Sequence, residues 1–161
     1  MFFWFIATAV VSIHFIFRDP RFDHRPLILG ALIVDVVDAP FGGARVLHSV
    51  TGAVGLMVVV MAVTAGRRPI RKKLLAVPIG VLLHIVFDGA FTDTDVFWWP
   101  FTGGFGNAPL PMVERGWWNI GFELVGLAML SWCVRTFDLR DRARRRHFLA
   151  TGELRQPTPL W

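Results

Sequence analysis

The side chains with the clearest potential for chemistry are ionisable groups inside or at one end of strongly apolar segments, namely Asp35, Asp38, His48, His84, Asp88 and Glu123. Placing a carboxylate or an imidazole in hydrocarbon costs about 3 kcal/mol or more per group. Such groups therefore pair with each other, bind a metal ion or line a polar cavity. Asp35 and Asp38 are three residues apart and His84 and Asp88 are four apart, so each pair shares one helical face.

Two histidines and several carboxylates at one depth form a ligand set that suits Zn²⁺, with Mn²⁺ or Fe²⁺ as alternatives. The predicted metal ligands are Asp35, Asp38, His48, His84 and Asp88. The carboxylates outnumber the two nearby arginines, Arg45 and Arg115, and a divalent ion or protonation of carboxylates with raised pKa values would remove this deficit of positive charge. The competing interpretation is a structural polar cluster, in which the arginines neutralise carboxylates and each histidine is hydrogen-bonded to an aspartate.

Five apolar segments must position these groups, in a chain of 161 residues that is 54% hydrophobic with a mean hydropathy of +0.52. The segments are Phe2–Phe17, Leu27–Phe41, Val46–Ala65, Leu74–Phe91 and Trp117–Phe137. A membrane-spanning helix needs about 20 predominantly apolar residues, and most of the segments approach or reach that length. The second, Leu27–Phe41, is the shortest, and the sequence leaves open whether it is a short tilted span or a segment that stops within the protein. We therefore predict an all-α polytopic membrane helix bundle with about five transmembrane helices over residues 1–137, followed by a basic cytoplasmic tail with a surface helix over residues 138–161.

The distribution of basic residues gives this bundle an orientation. With five spans, the N-terminus is outside and the C-terminus inside, and of the 17 Lys and Arg residues all but Arg45 and Arg115 lie on the inner side, as the positive-inside rule requires. The net charge of +5 is then explained by anionic lipid headgroups rather than by nucleic acid. The predicted location is the plasma (inner) membrane, with membrane lipids as partners. Small residues in the segments permit close helix contacts within one chain or between chains of an oligomer.

Four stretches around the polar residues resemble one known family, the YdjM-like inner-membrane metal-dependent hydrolases. Residues 31–40 (ALIVDVVDAP) are similar to the family's LLPDIDHP element, and residues 45–49 (RVLHS) resemble its R-x-x-THS element. Residues 80–89 (GVLLHIVFDG), followed by residues 96–101 (VFWWPF), are similar to its G-x-x-SHxxxD…LLWP pattern. The order and approximate spacing agree over residues 30–101.

The chain departs from the family pattern at several polar positions. Ala39, Leu47 and Leu83 stand where the family has His, Thr and Ser, and the first segment lacks the family's histidine at its start. Fewer ligands favour one metal ion rather than two, or an inactive relative.

The resemblance implies a metal-dependent hydrolase and gives no substrate. Our hypothesis for the reaction is hydrolysis of a phosphoester or related ester in a lipid or lipid-linked substrate near the outer membrane face. A metal ion would activate water, Glu123 or Asp38 would act as general base, and Arg45 and Arg115 would bind the phosphate. One alternative is a non-catalytic membrane scaffold or accessory subunit with a structural polar cluster. A small transporter is a further alternative, although the polar residues gather at one face and form no path across the bilayer.

Overall fold

The computed structural model describes residues 1–41, 43–105 and 115–154, and the regular elements in these ranges are helices. The α-helices are α1 (Phe2–Phe17), α2 (His24–Asp38), α3 (Val50–Val63), α4 (Arg68–Leu74), α5 (Ala76–Phe87), α6 (Thr94–Phe97), α7 (Trp118–Thr136) and α8 (Arg142–Thr151). Short 3₁₀ turns lie at Ala39–Phe41, Val46–His48 and Ala90–Thr92. The prediction of an all-α protein is therefore confirmed for the described residues.

The predicted bundle of membrane-spanning helices is wrong, because no helix in the described part of the chain has both the length and the apolar character needed to cross a membrane. Four helices that correspond to the first four apolar segments contain 12 to 16 residues, which gives at most about 24 Å of helix against a hydrocarbon thickness of about 30 Å. Helix α7 has 19 residues but includes Asn119, Glu123 and Arg135. The transmembrane orientation assigned from the basic residues is corrected with it.

Helices α2 and α5 form the most closely packed pair of the fold. A side chain at Gly30 would lie 2.1 Å from the carbonyl oxygen of Val77, and one at Gly80 would lie 2.2 Å from the carbonyl oxygen of Leu27. The two backbones therefore meet at positions where only glycine fits. This contact fixes both the separation and the register of the two helices.

Helix α1 lies against α2, α5 and α7. Its contact with α7 is again a close one, because a side chain at Gly126 would lie 2.5 Å from the backbone nitrogen of Trp4. The buried apolar core is shared by these helices, with Phe5, Ala9 and Ile13 of α1 packed with Leu27 and other residues of α2. A second apolar cluster joins α2, α3 and α5 through Val34, Ala53, Val81 and Ile85.

The 3₁₀ turn Val46–His48, just before α3, places His48 against α2. Ser49 caps α3 by accepting a hydrogen bond from the backbone nitrogen of Gly52 at 2.9 Å, while its hydroxyl donates to the carbonyl oxygen of Val46 at 2.7 Å. Serine is a favoured residue at a helix N-cap for this reason. The cap holds the turn Val46–His48 against the start of α3, and His48 is thereby fully buried.

Part of the basic segment after residue 137 is helix α8, which has no buried residue. It is joined to the start of α2 by Arg25, whose guanidinium donates to the carbonyl oxygens of Leu149 at 3.1 Å and Ala150 at 2.7 Å. Residues 155–161 of the predicted tail lie outside the described residues.

Candidate metal centre

Four side-chain atoms from three separate elements converge at the end of the α2–α5 pair. The Oδ1 atom of Asp35, on α2, lies 3.5 Å from the Nε2 atoms of both His48 and His84. The Oδ2 atom of Asp88, which ends α5, lies 3.9 Å from Nε2 of His48. The ligand atoms of Asp35, His48 and His84 all lie within 4.8 Å of one another, so this group can hold a metal ion.

Bringing these polar atoms together in a buried place costs free energy unless a ligand occupies the space between them. The side chains of His48 and His84 are fully buried, and that of Asp88 is 1% exposed. The Nε2 atoms of both histidines and Oδ2 of Asp88 have no hydrogen-bond partner among the residues that the structure describes. A buried polar atom without a partner costs about 1–3 kcal/mol. Two such nitrogens facing the Asp35 carboxylate, with an unpartnered carboxylate oxygen beside one of them, are therefore typical of a site that accepts a cation.

The other nitrogen of each imidazole is already occupied. Nδ1 of His48 donates to Oδ2 of Asp38 at 2.7 Å, and Nδ1 of His84 donates to the carbonyl oxygen of Ala31 at 2.7 Å. Because both partners are acceptors, the protons lie on Nδ1 and a neutral ring carries its lone pair on Nε2. Metal-binding histidines are oriented in this way by carboxylates or backbone carbonyls behind them.

Two of the three separations between the ligand atoms also agree with a small tetrahedral ion. Zinc lies about 2.0–2.2 Å from histidine nitrogen and carboxylate oxygen, so two ligands of one tetrahedral zinc are about 3.4 Å apart. The 3.5 Å distances from Asp35 Oδ1 to each Nε2 are close to this value. Asp35 is also the most accessible member of the group, with its side chain 23% exposed.

We call Asp35, His48, His84 and Asp88 the polar cluster. Without a metal ion, the pKa values of these groups reflect a shortage of positive charge around the carboxylates. Burial opposes a charge on His48, but its interactions with Asp35 and Asp38 outweigh burial and raise its pKa to about 9. Burial acts to raise the pKa of Asp35, but its interactions with His48 and His84 prevail and hold that pKa well below its usual range. A proton on His48 thus supplies charge that an ion would otherwise provide.

Two arginines contact Asp38 and Asp88, and the guanidinium of each has a defined structural partner. Nη2 of Arg115 donates to Oδ1 of Asp88 at 2.9 Å and also to the backbone carbonyl of Asp88. The backbone nitrogen of Arg45 donates to Oδ2 of Asp38 at 2.9 Å, and its guanidinium donates to the carbonyl oxygen of Phe41. Burial raises the pKa of Asp88 and outweighs the charge of Arg115.

Two residues given catalytic roles from the sequence have other neighbours in the structure. Asp38 lies behind His48, where it binds Nδ1 rather than facing Asp35. Glu123 accepts hydrogen bonds from the backbone nitrogens of Phe2 and Phe3, the latter at 2.8 Å. Its carboxylate therefore caps the N-terminus of α1, a position that favours negative charge.

Sequence reasoning missed one side chain and one backbone group at this site. The ring of Phe5 lies against that of His84, with centroids 3.9 Å apart, and the carbonyl of Ala31 orients the same imidazole. The only signal in the sequence was spacing. Ala31 precedes Asp35 by one helical turn, and Gly80 precedes His84 by one helical turn, so both small residues lie on the faces that carry the site.

The chain has no significant match among models of known protein families, curated proteins or solved structures. The resemblance to the YdjM-like hydrolases therefore stays a prediction.

Proposed function

We propose that this protein is a metal-dependent hydrolase, with a single Zn²⁺ held by Asp35, His48 and His84. The observation that carries the proposal is the pair of buried histidine Nε2 atoms without partners that face Oδ1 of Asp35, with the unpartnered Oδ2 of Asp88 beside His48. Three protein ligands with a fourth position left for water are typical of catalytic zinc, whereas structural zinc is usually closed by four. Bound zinc would lower the pKa of that water and polarise the scissile group.

The remaining groups of the site suit the transfer of a proton from this water. Asp88 has one oxygen bound by Arg115 and the other buried without a partner. Burial raises its pKa, which makes it a better proton acceptor than an ordinary aspartate. We therefore assign the general-base role to Asp88 rather than to Glu123 or Asp38, whose oxygens bind elsewhere.

The proposed substrate is a phosphoester or related ester that carries an apolar group. Two large apolar side chains shortly before His48 in the chain are exposed, Phe41 at 66% and Val46 at 41%. Exposed apolar side chains of this size suit contact with the apolar part of such a substrate. Arg45 lies between these two residues in the chain, where it would meet a phosphate attached to the apolar group.

The deciding experiment is metal analysis by mass spectrometry on the purified wild-type chain and on the double variant Asp35→Asn/His84→Ala. His147→Asn is the matched control, because His147 binds Glu153 of the tail and not the cluster. We expect about one zinc per chain in the wild type and the control and none in the double variant. The zinc-loaded proteins are then assayed on p-nitrophenyl phosphodiesters and on p-nitrophenyl esters of fatty acids.

A purely structural role is the second candidate, and it also has specific support. The bonds from His84 to Ala31 and from His48 to Asp38 tie α5 and the turn before α3 to α2. If this is their whole purpose, the wild type contains no metal even after incubation with zinc, and the double variant loses stability without losing any ion.

A further inference from the structure

A cavity of about 490 Å³ with polar and apolar walls lies at the opposite end of α2 from the metal centre. It is lined by the end of α1, the start of α2 and the residue Leu154 that follows α8. His24 in its wall and Asp35 in the metal centre are 11 residues apart on one helix, which corresponds to about 16 Å. The two sites are therefore separate.

His24 lines this cavity and carries a buried ring nitrogen without a partner in the described part of the chain. The residue is only 3% exposed, and both its backbone nitrogen and its Nδ1 donate to the carbonyl oxygen of Gly152, at 2.9 and 3.0 Å. Nε2 has no hydrogen-bond partner among the described residues. Because Nδ1 carries the proton, the neutral ring offers a lone pair at Nε2, which needs a donor such as a hydroxyl group.

Arg18 supplies a positive charge in the same wall. It is exposed, and within the described ranges its guanidinium has no ion pair or hydrogen bond. The acidic residue of the wall, Asp19, is already neutralised, since its carboxylate accepts from Nζ of Lys72 at 2.8 Å and from the backbone nitrogen of Arg21 at 2.9 Å. The charge available to a ligand in the cavity is therefore that of Arg18.

We propose that this cavity binds a phosphate monoester that carries a neighbouring hydroxyl group, of which glycerol phosphate is the smallest example. The phosphate would pair with the guanidinium of Arg18, which matches phosphate geometry. The hydroxyl would donate to Nε2 of His24. Ile13, Phe15 and Leu154 give the cavity an apolar wall, which suits either the carbon backbone of a free phosphate ester or the first part of a lipid chain.

The test is isothermal titration of the full chain with two probes, sn-glycerol 3-phosphate in solution and lysophosphatidic acid below its critical micelle concentration. Binding of both with similar affinity identifies the free ester as sufficient. Binding at least about tenfold tighter for the lysolipid identifies a lipid headgroup as the source. If neither probe binds at millimolar concentration, the proposal is wrong.

The informative variants remove each polar group without disturbing the backbone. Arg18 has a left-handed backbone with φ of 48°, a conformation that asparagine tolerates, so Arg18→Asn removes the guanidinium alone. His24→Asn retains a side-chain donor for Gly152 and removes the Nε2 acceptor. We expect each to weaken binding about tenfold, as the loss of a charged or buried hydrogen bond does. The control Arg21→Asn lies outside the cavity wall and changes binding less than twofold.

A further titration distinguishes binding in this cavity from binding at the metal centre. The variant Asp35→Asn/His84→Ala, which cannot hold the ion, should bind glycerol phosphate with unchanged affinity. If binding disappears in this variant but persists in Arg18→Asn, the phosphate binds at the metal centre and the proposed cavity site is wrong.

Discussion

Nε2 of His84 lies 3.5 Å from Oδ1 of Asp35, and the close contact of two helix backbones sets this distance. Gly80 is one turn before His84 on α5, and a side chain there would meet the backbone of Leu27 and Ala31 on α2. Ala31 is in turn one turn before Asp35. The glycine contact and the metal ligands therefore lie on the same faces of the two helices, one turn apart.

Replacing Gly80 by alanine should both destabilise the fold and disrupt the metal centre. The new methyl group would lie 2.2 Å from the carbonyl oxygen of Leu27, so α5 has to move away from α2 and carries His84 with it. We expect the free energy of unfolding to fall by about 1–3 kcal/mol, as in other overpacked cores, and the affinity for zinc to fall as well. Urea denaturation and zinc titration measure the two effects.

The matched control is Gly55→Ala on α3, where an added side chain meets nothing within 4 Å. This change should raise stability by about 0.5–1 kcal/mol, because alanine is favoured over glycine in a helix. Equal effects of the two substitutions would contradict the role assigned to the α2–α5 contact.

Asp38 and Asp35 should behave differently when each is changed to asparagine. Asp38 orients His48 through Nδ1, so Asp38→Asn should retain the ion with an affinity reduced about 10–100-fold, as is typical for groups behind a ligand. Asp35 faces the ion position directly, and Asp35→Asn should abolish binding. Competition titrations with a zinc chelator distinguish the two outcomes, and complete loss of zinc from Asp38→Asn would instead make Asp38 a ligand.

The sequence was sufficient to predict an all-α chain and to single out Asp35, His48 and His84, because ionisable residues in apolar segments need partners. Helical spacing relates His84 to Asp88 but does not place His48, which lies in a separate turn. The sequence was not sufficient to predict the helix ends. The apolar segment Leu74–Phe91 contains the end of α4 and the end of α5, where Gly89 adopts φ of 69°. Hydrophobicity does not change at either helix end, so the apolar composition of this segment alone predicts one long helix.

The separate roles of the carboxylates depend on contacts that spacing does not reveal. Asp38 shares its helical face with Asp35, yet it binds His48 and the backbone of Arg45, which are brought back by the turn that follows α2. Glu123 binds backbone nitrogens at the start of α1, about 120 residues earlier in the chain. The partners of Asp38 and Glu123 could not be predicted without knowing how the helices pack.

Changing Glu123 to glutamine should affect stability but not chemistry. The carboxylate accepts from the first backbone nitrogens of α1, and loss of its charge at a helix N-terminus should lower the free energy of unfolding by about 1 kcal/mol. Zinc content and hydrolytic activity per folded chain should stay at wild-type values. Thermal denaturation together with the activity assay checks this, and a large loss of activity at unchanged zinc content would return Glu123 to a catalytic role.

The stability of the metal-free protein should depend on pH through His48. Its pKa is about 9 in the folded chain, against an ordinary value of 6.5, so the folded state binds the proton more tightly than the unfolded state. The resulting stabilisation is fully present below pH 6.5 and is lost as the pH rises through 9. Asp35 makes no contribution to this change, because its lowered pKa keeps it ionised throughout the window.

The measurement is urea denaturation in the presence of a chelator at pH 6 and pH 9.5, on the wild type and on His48→Gln. The difference in unfolding free energy between the two proteins should shrink at the higher pH, where the wild-type ring has lost its proton. Added zinc should reverse the trend for the wild type, since the ion competes with that proton for Nε2 and binds more tightly as the pH rises. A difference that stays constant between the two pH values would show that His48 is not charged in the metal-free fold.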